Sequence, residues 1–562
     1  MRQSRTLTTC GVLLAGLIVG ACSLLYDLSA DQCKTSGDCA AKGEAFADTE
    51  CVKGMCVPVN SVQTECTVNA DCSLEIEGQW SICKSGTCLS LADGSNGECR
   101  LVLGTGEDDS RYLHRASPAP IVIGGFANAT VNPYGNQAVP NYELALLEHN
   151  RVAARKVVMV VCNSLTDDLG PSIDHLVGTL DVPAIVAAVL DNHLEMMLDD
   201  LTTRGKKVFI MNALEADRSI EDARLDSDEL VWHILGAPTG LAPIYQPLLD
   251  RIAQASAGAR AGSPFADEAL RVAIVEASPD LTELSGAVRS SVAIGGKSLT
   301  SLINDGEAQL QRISATNGAP AAEQADIVER ILDFGPHVVI SMATREFVPL
   351  MEALEASWPE FAPEDLPRPY YILSQFQYND ERIPELTGNP LYGLSARVVG
   401  VNHAPANEDA KTLYDIYYSN LRAEFGTEAG QVDLAGTENF YDATWYTLYA
   451  IAATENPTGP RIADGMKRLL DGYNQLSIIQ AGPTSNGISD VLSALSSSDG
   501  QIRLNGTMGP PDFDSFGVKE TVPSVYCIGT SDEGDIGFLE NAYSYDQASN
   551  SLVEHIPCRA DL

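Results

Sequence analysis

The chain reads as an α/β protein: two lobes, each built on a doubly wound parallel sheet, after a small disulfide-rich N-terminal segment. Three observations predict this. The apolar runs KVVMVVCN (156–163), VPAIVAAVLDN (182–192) and KVFIMNAL (207–214) are short, rich in β-branched residues and apolar on both faces, as strands are when helices cover both sides of a parallel sheet. Helical stripes lie between them, Ile173, Leu176 and Val177 and then Leu194, Met197, Leu198 and Leu201, so crossovers and a layered α/β unit follow. The alternation recurs in a second half, with LRVAIVEAS (270–278), HVVISMA (337–343) and YYILSQF (370–376).

The 562 residues are 45% hydrophobic and 20% charged, a globular composition long enough for roughly three or four domains. The formal net charge is -40, with 76 acidic against 36 basic residues. Nucleic-acid binding needs basic patches that displace counterions, so that class is excluded. The acidity reads as a solvated surface.

At the N-terminus, Arg2 and Arg5 precede an apolar run, Cys10 to Ile18, and then Val19-Gly20-Ala21-Cys22. The run is too short to span a bilayer well. Small residues before a cysteine at the end of such a run resemble a bacterial lipobox. That resemblance implies a signal peptide over 1–21, cleavage before Cys22 and lipidation of that cysteine, palmitate included. Ser23 rather than Asp follows; by the same resemblance this implies the outer membrane, facing the periplasm or the cell surface.

Residues 22–103 form a cysteine-rich stalk with two repeats. Cys33, Cys39, Cys51 and Cys56 are matched by Cys66, Cys72, Cys83 and Cys88, with CVKGMC (51–56) answering CKSGTC (83–88). The intervening residues are polar and cannot bury a core, so covalent staples must hold it. Zinc or an iron–sulfur cluster is the rival reading, but the spacings lack the paired C-x2-C of zinc sites. Four cysteines allow three connectivities, and these stay open. A spacer is favoured over a small recognition module. Cys99 is the odd ninth; Cys162 either pairs with it or is a free packed thiol. Cys527 and Cys558, alone in the last third of an exported chain, are expected to form a disulfide.

A linker, 104–120, carries GTGEDDS and Ser117-Pro118-Ala119-Pro120. The first lobe is assigned 121–255 and 404–505, the second 265–403 and 506–558, with the small, flexible ASAGARAGSP (255–264) as the first crossing between them. In open α/β sheets ligands bind beyond the carboxyl ends of the strands. The polar residues there are Asn192, Asn212, Ser278, Thr344 and Gln375.

IVIGGF (121–126) with the Tyr134-Gly135 loop, ALLEHN (145–150), FYDATWYTLYAIA (440–452) and GTMGPPDFDSFG (506–517) follow one another in an order that resembles the type I periplasmic binding proteins, notably the branched-chain amino-acid receptor group. The resemblance covers Pro120 to Pro557. It implies two lobes joined by three crossovers, a ligand trapped between them on hinge closure, and delivery to a transporter permease. It carries possible ligand contacts onto Tyr134, Asp191, Asn192, Ala213 and Glu215 in the first lobe, and onto Asp280, Thr344, Arg345 and Gln375 in the second. The chain departs from the group at LDN (190–192) and NALEA (212–216), where Ser or Thr usually holds a carboxylate, and at SQF (374–376), where an acid usually holds an ammonium. A neutral polyol or amide-rich ligand is therefore expected, with Arg345 as the one candidate clamp for an anionic group.

No G-x-S-x-G, H-E-x-x-H, Walker A or strand–helix G-x-G-x-x-G motif occurs, and the eight histidines are scattered. The expectation is a non-enzyme without metal or cofactor. Two functions remain: a lipid-anchored solute-binding protein of an ABC transporter, or an outer-membrane sensor or adhesion lipoprotein using the same fold without transport.

Overall fold

The computed structural model describes residues 49–52, 55–58, 66–72, 81–84, 86–92, 97–105, 119–128, 137–166, 168–189, 191–214, 228–260, 269–278, 281–307, 309–315, 321–361, 366–378, 380, 382–389, 392–405, 408–425, 437–470, 472, 475–478, 487–497, 499–530 and 536–558. The signal segment with Cys22, and the candidates Tyr134, Glu215 and Asp280, lie outside the described residues. Two compact units result, Met1–Ser90 and Leu91–Leu562.

The first unit carries two antiparallel hairpins. β1 (Thr49–Val52) pairs with β2 (Met55–Pro58), and β3 (Ser81–Lys84) with β4 (Thr87–Ser90). Cys51 stands opposite Cys56 in one register and Cys83 opposite Cys88 in the other, so the sequence repeat is a repeat of hairpins. In the second repeat the bridges are Cys66–Cys83 and Cys72–Cys88, the first-to-third, second-to-fourth connectivity. Its core is these buried sulfurs. Asp71 accepts hydrogen bonds from the Thr67 amide (2.7 Å) and hydroxyl (2.8 Å) and from the Val68 amide (3.0 Å); these bonds hold its carboxyl below the usual range.

The second unit contains two sheets. β5 (Cys99–Leu103), β6 (Ile121–Ala127), β7 (Val157–Asn163), β8 (Ala184–Ala187), β9 (Phe209–Asn212) and β10 (Val231–His233) form the first, in the order β10-β9-β8-β6-β7-β5. All are parallel except β5, which runs antiparallel to β7. β5 corrects the stalk boundary: its residues, assigned to the stalk, extend the lobe's sheet, and Cys99 is bridged to Cys162. Three helices lie between these strands: α1 (Ala138–Val152), α2 (Gly170–Ile173) with its π-helical continuation to Thr179, and α3 (Asp191–Thr203). At Gly124 and Gly125 on β6 a Cβ would sit 2.9 Å from the Leu176 side chain and 2.7 Å from the Met159 sulfur, so a larger residue at either position would displace these side chains.

After β10 the chain enters the second lobe. α4 (Tyr245–Arg260), β11 (Val272–Glu276), α5 (Thr282–Ser291), the tiny hairpin β12 (Ala293–Ile294) and β13 (Lys297–Ser298), α6 (Leu299–Asp305), β14 (Leu310–Ser314), α7 (Ala321–Phe334), β15 (Val338–Met342), α8 (Phe347–Phe361), β16 (Tyr370–Leu373), α9 (Arg382–Gly388) and β17 (Val398–Ala404) follow. Their sheet runs β14-β11-β15-β16-β17 in parallel, continued antiparallel by β20 (Val522–Thr530), β21 (Ile536–Asp546) and β22 (Ser551–Glu554). Here a second boundary is corrected. α4 belongs to this lobe, because Leu248, Leu249 and Ile252 bury themselves with Leu284 and Val288 of α5. The chain therefore crosses before α4, between Leu235 and Leu241, and not at 255–264.

α10 (Glu408–Phe425), α11 (Glu438–Ala452), α12 (Gly459–Lys467), β18 (Gln475–Ser477), α13 (Gly487–Leu495) and β19 (Arg503–Asn505) return to the first lobe. Tyr417, Tyr441, Trp445 and Ile462 join its core. Residues 506–519, assigned to the second lobe, also stay with the first: Val518 bridges to His233, and the His233 amide donates to the Gly517 carbonyl (2.8 Å). The last crossing follows, before Val522. Cys527 of β20 is bridged to Cys558, the expected pairing. Among the described residues no helix is long and apolar enough to cross a membrane.

Candidate functional site

Both parallel sheets point their carboxyl ends at the gap between the lobes, where a cavity of about 230 Å³ lies. Gln137, Leu214, Leu235, Glu438, Asn439, Phe440 and Met508 line it from the first lobe, and Arg345, Gln375, Phe376, Tyr378, Asn402 and His403 from the second.

Its chemistry centres on Glu438, the first residue of α11. Glu438 is 6% exposed, and its Oε2 has no hydrogen-bond partner among the described residues. Burial, then the charges of Glu540 and, more weakly, Asp442, push its pKa up to about 8. Glu540 on β21 accepts a hydrogen bond from the Tyr378 hydroxyl and is also bonded by Tyr414 of α10. Arg345, exposed at the turn before α8, brings the one guanidinium among the described lining residues. The cavity thus holds an acidic and a basic group together.

Buried polar contacts fix Glu438 in place. The Asn439 amide nitrogen donates to the Ala213 carbonyl (2.7 Å), tying the start of α11 to the end of β9. Asn141 of α1 donates to the Thr437 hydroxyl (2.9 Å) and accepts from Tyr417 (2.6 Å). One turn into α11, Asp442 receives the Thr507 amide (3.1 Å) and hydroxyl (2.8 Å) and the Met508 amide (3.1 Å). Burial raises its pKa to about 6 against those bonds. The fully buried Lys519 donates to the Met508 carbonyl (3.0 Å), and burial lowers its pKa to about 8. Gly506 is required here: a Cβ would meet the Asp442 carboxylate at 2.3 Å. This clamp holds Met508 at the cavity wall.

Of the residues singled out in the sequence, Arg345 and Gln375 stand at the cavity. The other candidates among the described residues are placed elsewhere. Asp191 and Asn192 open α3 rather than ending a strand, and Asn192 is exposed. Asn212 is buried and donates to the Val189 carbonyl (3.3 Å), while the Ala213 carbonyl is taken by Asn439. The Thr344 hydroxyl bonds Glu346, and its carbonyl accepts from Gln377 (3.0 Å). Ser278 lines a different cavity. Glu438, Tyr378, His403 and Gln137 were missed. An acid was sought after the second lobe's strands; it arrives instead at the head of α11, two residues ahead of the FYDATWYT segment.

Two doubly wound sheets share the strand order 2-1-3-4-5, three crossings join them, and a cavity lies at their carboxyl edges. This is the fold of the type I periplasmic binding proteins. No family model matches the chain, and no curated protein matches it. Among solved structures it is similar to a putative branched-chain amino acid ABC transporter protein from Rhodospirillum rubrum (15% identity, 75% of this chain and 100% of that one, TM-score 0.44). It is similar to a leucine-binding protein from Thermotoga maritima (14%, 75% and 97%, 0.47). A solute-binding protein from R. palustris in complex with benzoate overlaps at 10% identity over 79% of this chain and 99% of that one, with a TM-score of 0.48. Strand order and crossings, rather than these overlaps, define the fold.

Proposed function

We propose that the chain is an extracytoplasmic, lipid-anchored solute-binding protein that traps a small polar ligand between its lobes for a transporter permease. The observation that carries this is the Glu438 carboxyl, buried at the cavity wall with Oε2 unpartnered among the described residues. A buried polar atom without a partner is costly, and a ligand that supplies a donor removes the cost. A protonated amine does so best, because it also offsets the neighbouring Glu540 and Asp442. The neutral polyol read from the strand ends supplies donors but no charge. Arg345 and Gln375, across the cavity, suit the ligand's polar or anionic end.

A thermal-shift panel of amines, amino acids, sugars and organic acids tests this. An amine-bearing ligand at a hundred times its Kd should stabilise the protein by about 2.7 kcal/mol. Glu438→Gln should abolish that shift and leave the protein folded. A stabilising neutral sugar whose shift survives Glu438→Gln would overturn the cationic reading. No shift from any class, with one fixed interlobe geometry by scattering, would favour the surface sensor, to which the outer-membrane lipobox and the cysteine-rich stalk also point.

Anchoring is a separate expectation, motivated by Val19-Gly20-Ala21-Cys22 after the apolar run. Cys22→Ala should move the protein from the membrane to the soluble fraction. An N-terminal peptide of the native protein without acyl mass, and fractionation unchanged by the substitution, would remove it.

A further inference from the structure

A second cavity, of about 460 Å³, lies wholly within the second lobe and shares no lining residue with the interlobe one. It opens over the carboxyl ends of β11, β14 and β15. β11 has β14 on one side and β15 on the other, and the chain passes from β14 across β11 to reach β15, so the strand order switches direction here. Crevices at such a switch in strand order are where open α/β sheets bind ligands.

The cavity is organised by Glu276, the last residue of β11. Its Oε1 accepts a hydrogen bond from the Ser285 hydroxyl and lies 3.2 Å from Arg289 Nε; its Oε2 pairs with Arg312 Nε. Both guanidinium groups therefore engage the carboxylate through Nε. Their Nη1 and Nη2 atoms make no bond to a described residue, and both arginines line the cavity. Two cations against one carboxylate leave a positive balance among the described lining residues, on a chain whose formal net charge is -40. The ten-residue helix α5 also begins at this cavity, and its N-cap, Leu281, has no side-chain oxygen to cap the first amides. Hydroxyls of Ser278 and Ser314 complete the rim.

We propose that this cavity is a binding site for a small oxyanion, a phosphate or a carboxylate, held in the forks of Arg289 and Arg312 at the head of α5. Paired forks match two oxygens of one oxyanion, and a helix N-terminus favours the same charge. Glu276 is a positioning residue: it spaces the two guanidiniums and occupies their Nε, so that only the outer edges meet the ligand.

Isothermal titration of the full chain at low salt with inorganic phosphate, and separately with acetate, tests the site. Saturable binding is expected for at least one anion. Tighter phosphate binding by tenfold or more would identify a phosphate site, and equal or tighter acetate binding a carboxylate site. Arg312→Gln, on the exposed edge strand, should weaken the preferred anion at least tenfold, with Arg312→Lys in between because it keeps charge and loses the fork. Independently of any variant, the preferred anion should protect Arg289 and Arg312 from phenylglyoxal, read by peptide mapping. No saturable binding of either anion, affinity unchanged in Arg312→Gln, or modification of both arginines unaffected by the anion would overturn the proposal.

Discussion

Glu355→Ala is expected to cost about 3–5 kcal/mol, the range for breaking a buried ion pair by removing one partner. Glu355 sits on α8 with no exposed surface. Its Oε2 lies 2.6 Å from Arg368 and 2.9 Å from Arg397. Its Oε1 accepts from Arg397 Nη1 (3.0 Å) and from the Tyr371 hydroxyl (2.8 Å). The carboxylate is thus the hub for two guanidiniums that are only 21% and 12% exposed. Alanine leaves the tyrosine hydroxyl without its acceptor and both guanidiniums without their counterion, with only backbone carbonyls, that of residue 355 for Arg368 and those of Pro369 and Tyr392 for Arg397, to receive them. The melting temperature should fall by on the order of 10 °C, at about 2–4 °C per kcal/mol for a domain of this size. Urea denaturation checks the free energy. A loss under about 1 kcal/mol would show that these arginines find other acceptors. Replacing all three residues by apolar side chains of similar volume should be far better tolerated, because removing a whole buried ion cluster is often close to neutral. That contrast separates an unpaired charge from lost packing.

None of this cluster is legible in the sequence. Glu355, Arg368 and Arg397 belong to different elements, and nothing in their spacing predicts that they meet. The fold was far more readable. Strands buried on both faces announce themselves as continuous apolar runs, which is why β7, β9, β11 and β15 fall within the runs read for them. The stripe Leu194, Met197, Leu198 and Leu201 falls within α3. Where the pattern weakens, the reading fails. β14 was passed over because Leu310 and Ile313 are its only apolar residues, and Gln311, Arg312 and Ser314 break the run at the sheet edge. α4 was given to the wrong lobe because an apolar stripe says that a helix is covered, not which sheet covers it. The candidate site was half legible. Arg345 and Gln375 follow strands directly, so strand order alone carries them to the cavity. Glu438 comes from a helix that returns after the second lobe, and its position depends on buried bonds to Ala213 and Asn141 that no local signal reveals.

The same buried carboxyls should make the protein lose stability as pH rises from about 4.5 to 8. Folding raises Glu438 from 4.5 to about 8 and Glu143 from 4.5 to about 7, both chiefly by burial. Asp442 rises from 3.8 to about 6 for the same reason. Between the unfolded and folded values the native state holds a proton that the unfolded chain has released. Each such group then costs about 1.4 kcal/mol of stability per pH unit, flat below the unfolded value and above the folded one. His149 acts in the opposite sense. Burial lowers it from 6.5 to about 4, so it destabilises the fold as pH falls through that interval. Above pH 6.5 it no longer opposes the carboxyls. Lys519, lowered from 10.5 to about 8, affects only pH above that value. Glu148 is raised by burial as well, so the Glu438 contribution between pH 7 and 8 is read from the difference between the wild type and Glu438→Gln, and the full drop assigned to Glu438 between 4.5 and 8 is of order 5 kcal/mol. Glu438→Gln should reduce the decline between pH 7 and 8 and leave the variant more stable than the wild type at pH 8, with the gain shrinking towards pH 4.5. Glu143→Gln should reduce the slope below pH 7 and leave the 7–8 interval unchanged. Chemical denaturation at half-unit steps from pH 4.5 to 8 measures both. A flat wild-type profile between pH 7 and 8, or a Glu438→Gln profile that tracks it, would show that Glu438 releases its proton near the ordinary value, with water or an ion reaching it in the cavity. A ligand that binds through an ammonium group should remove the decline as well, because pairing with a cation restores the ionised carboxylate and draws the folded pKa back down. Repeating the titration with and without that ligand therefore links the stability profile to occupancy of the cavity.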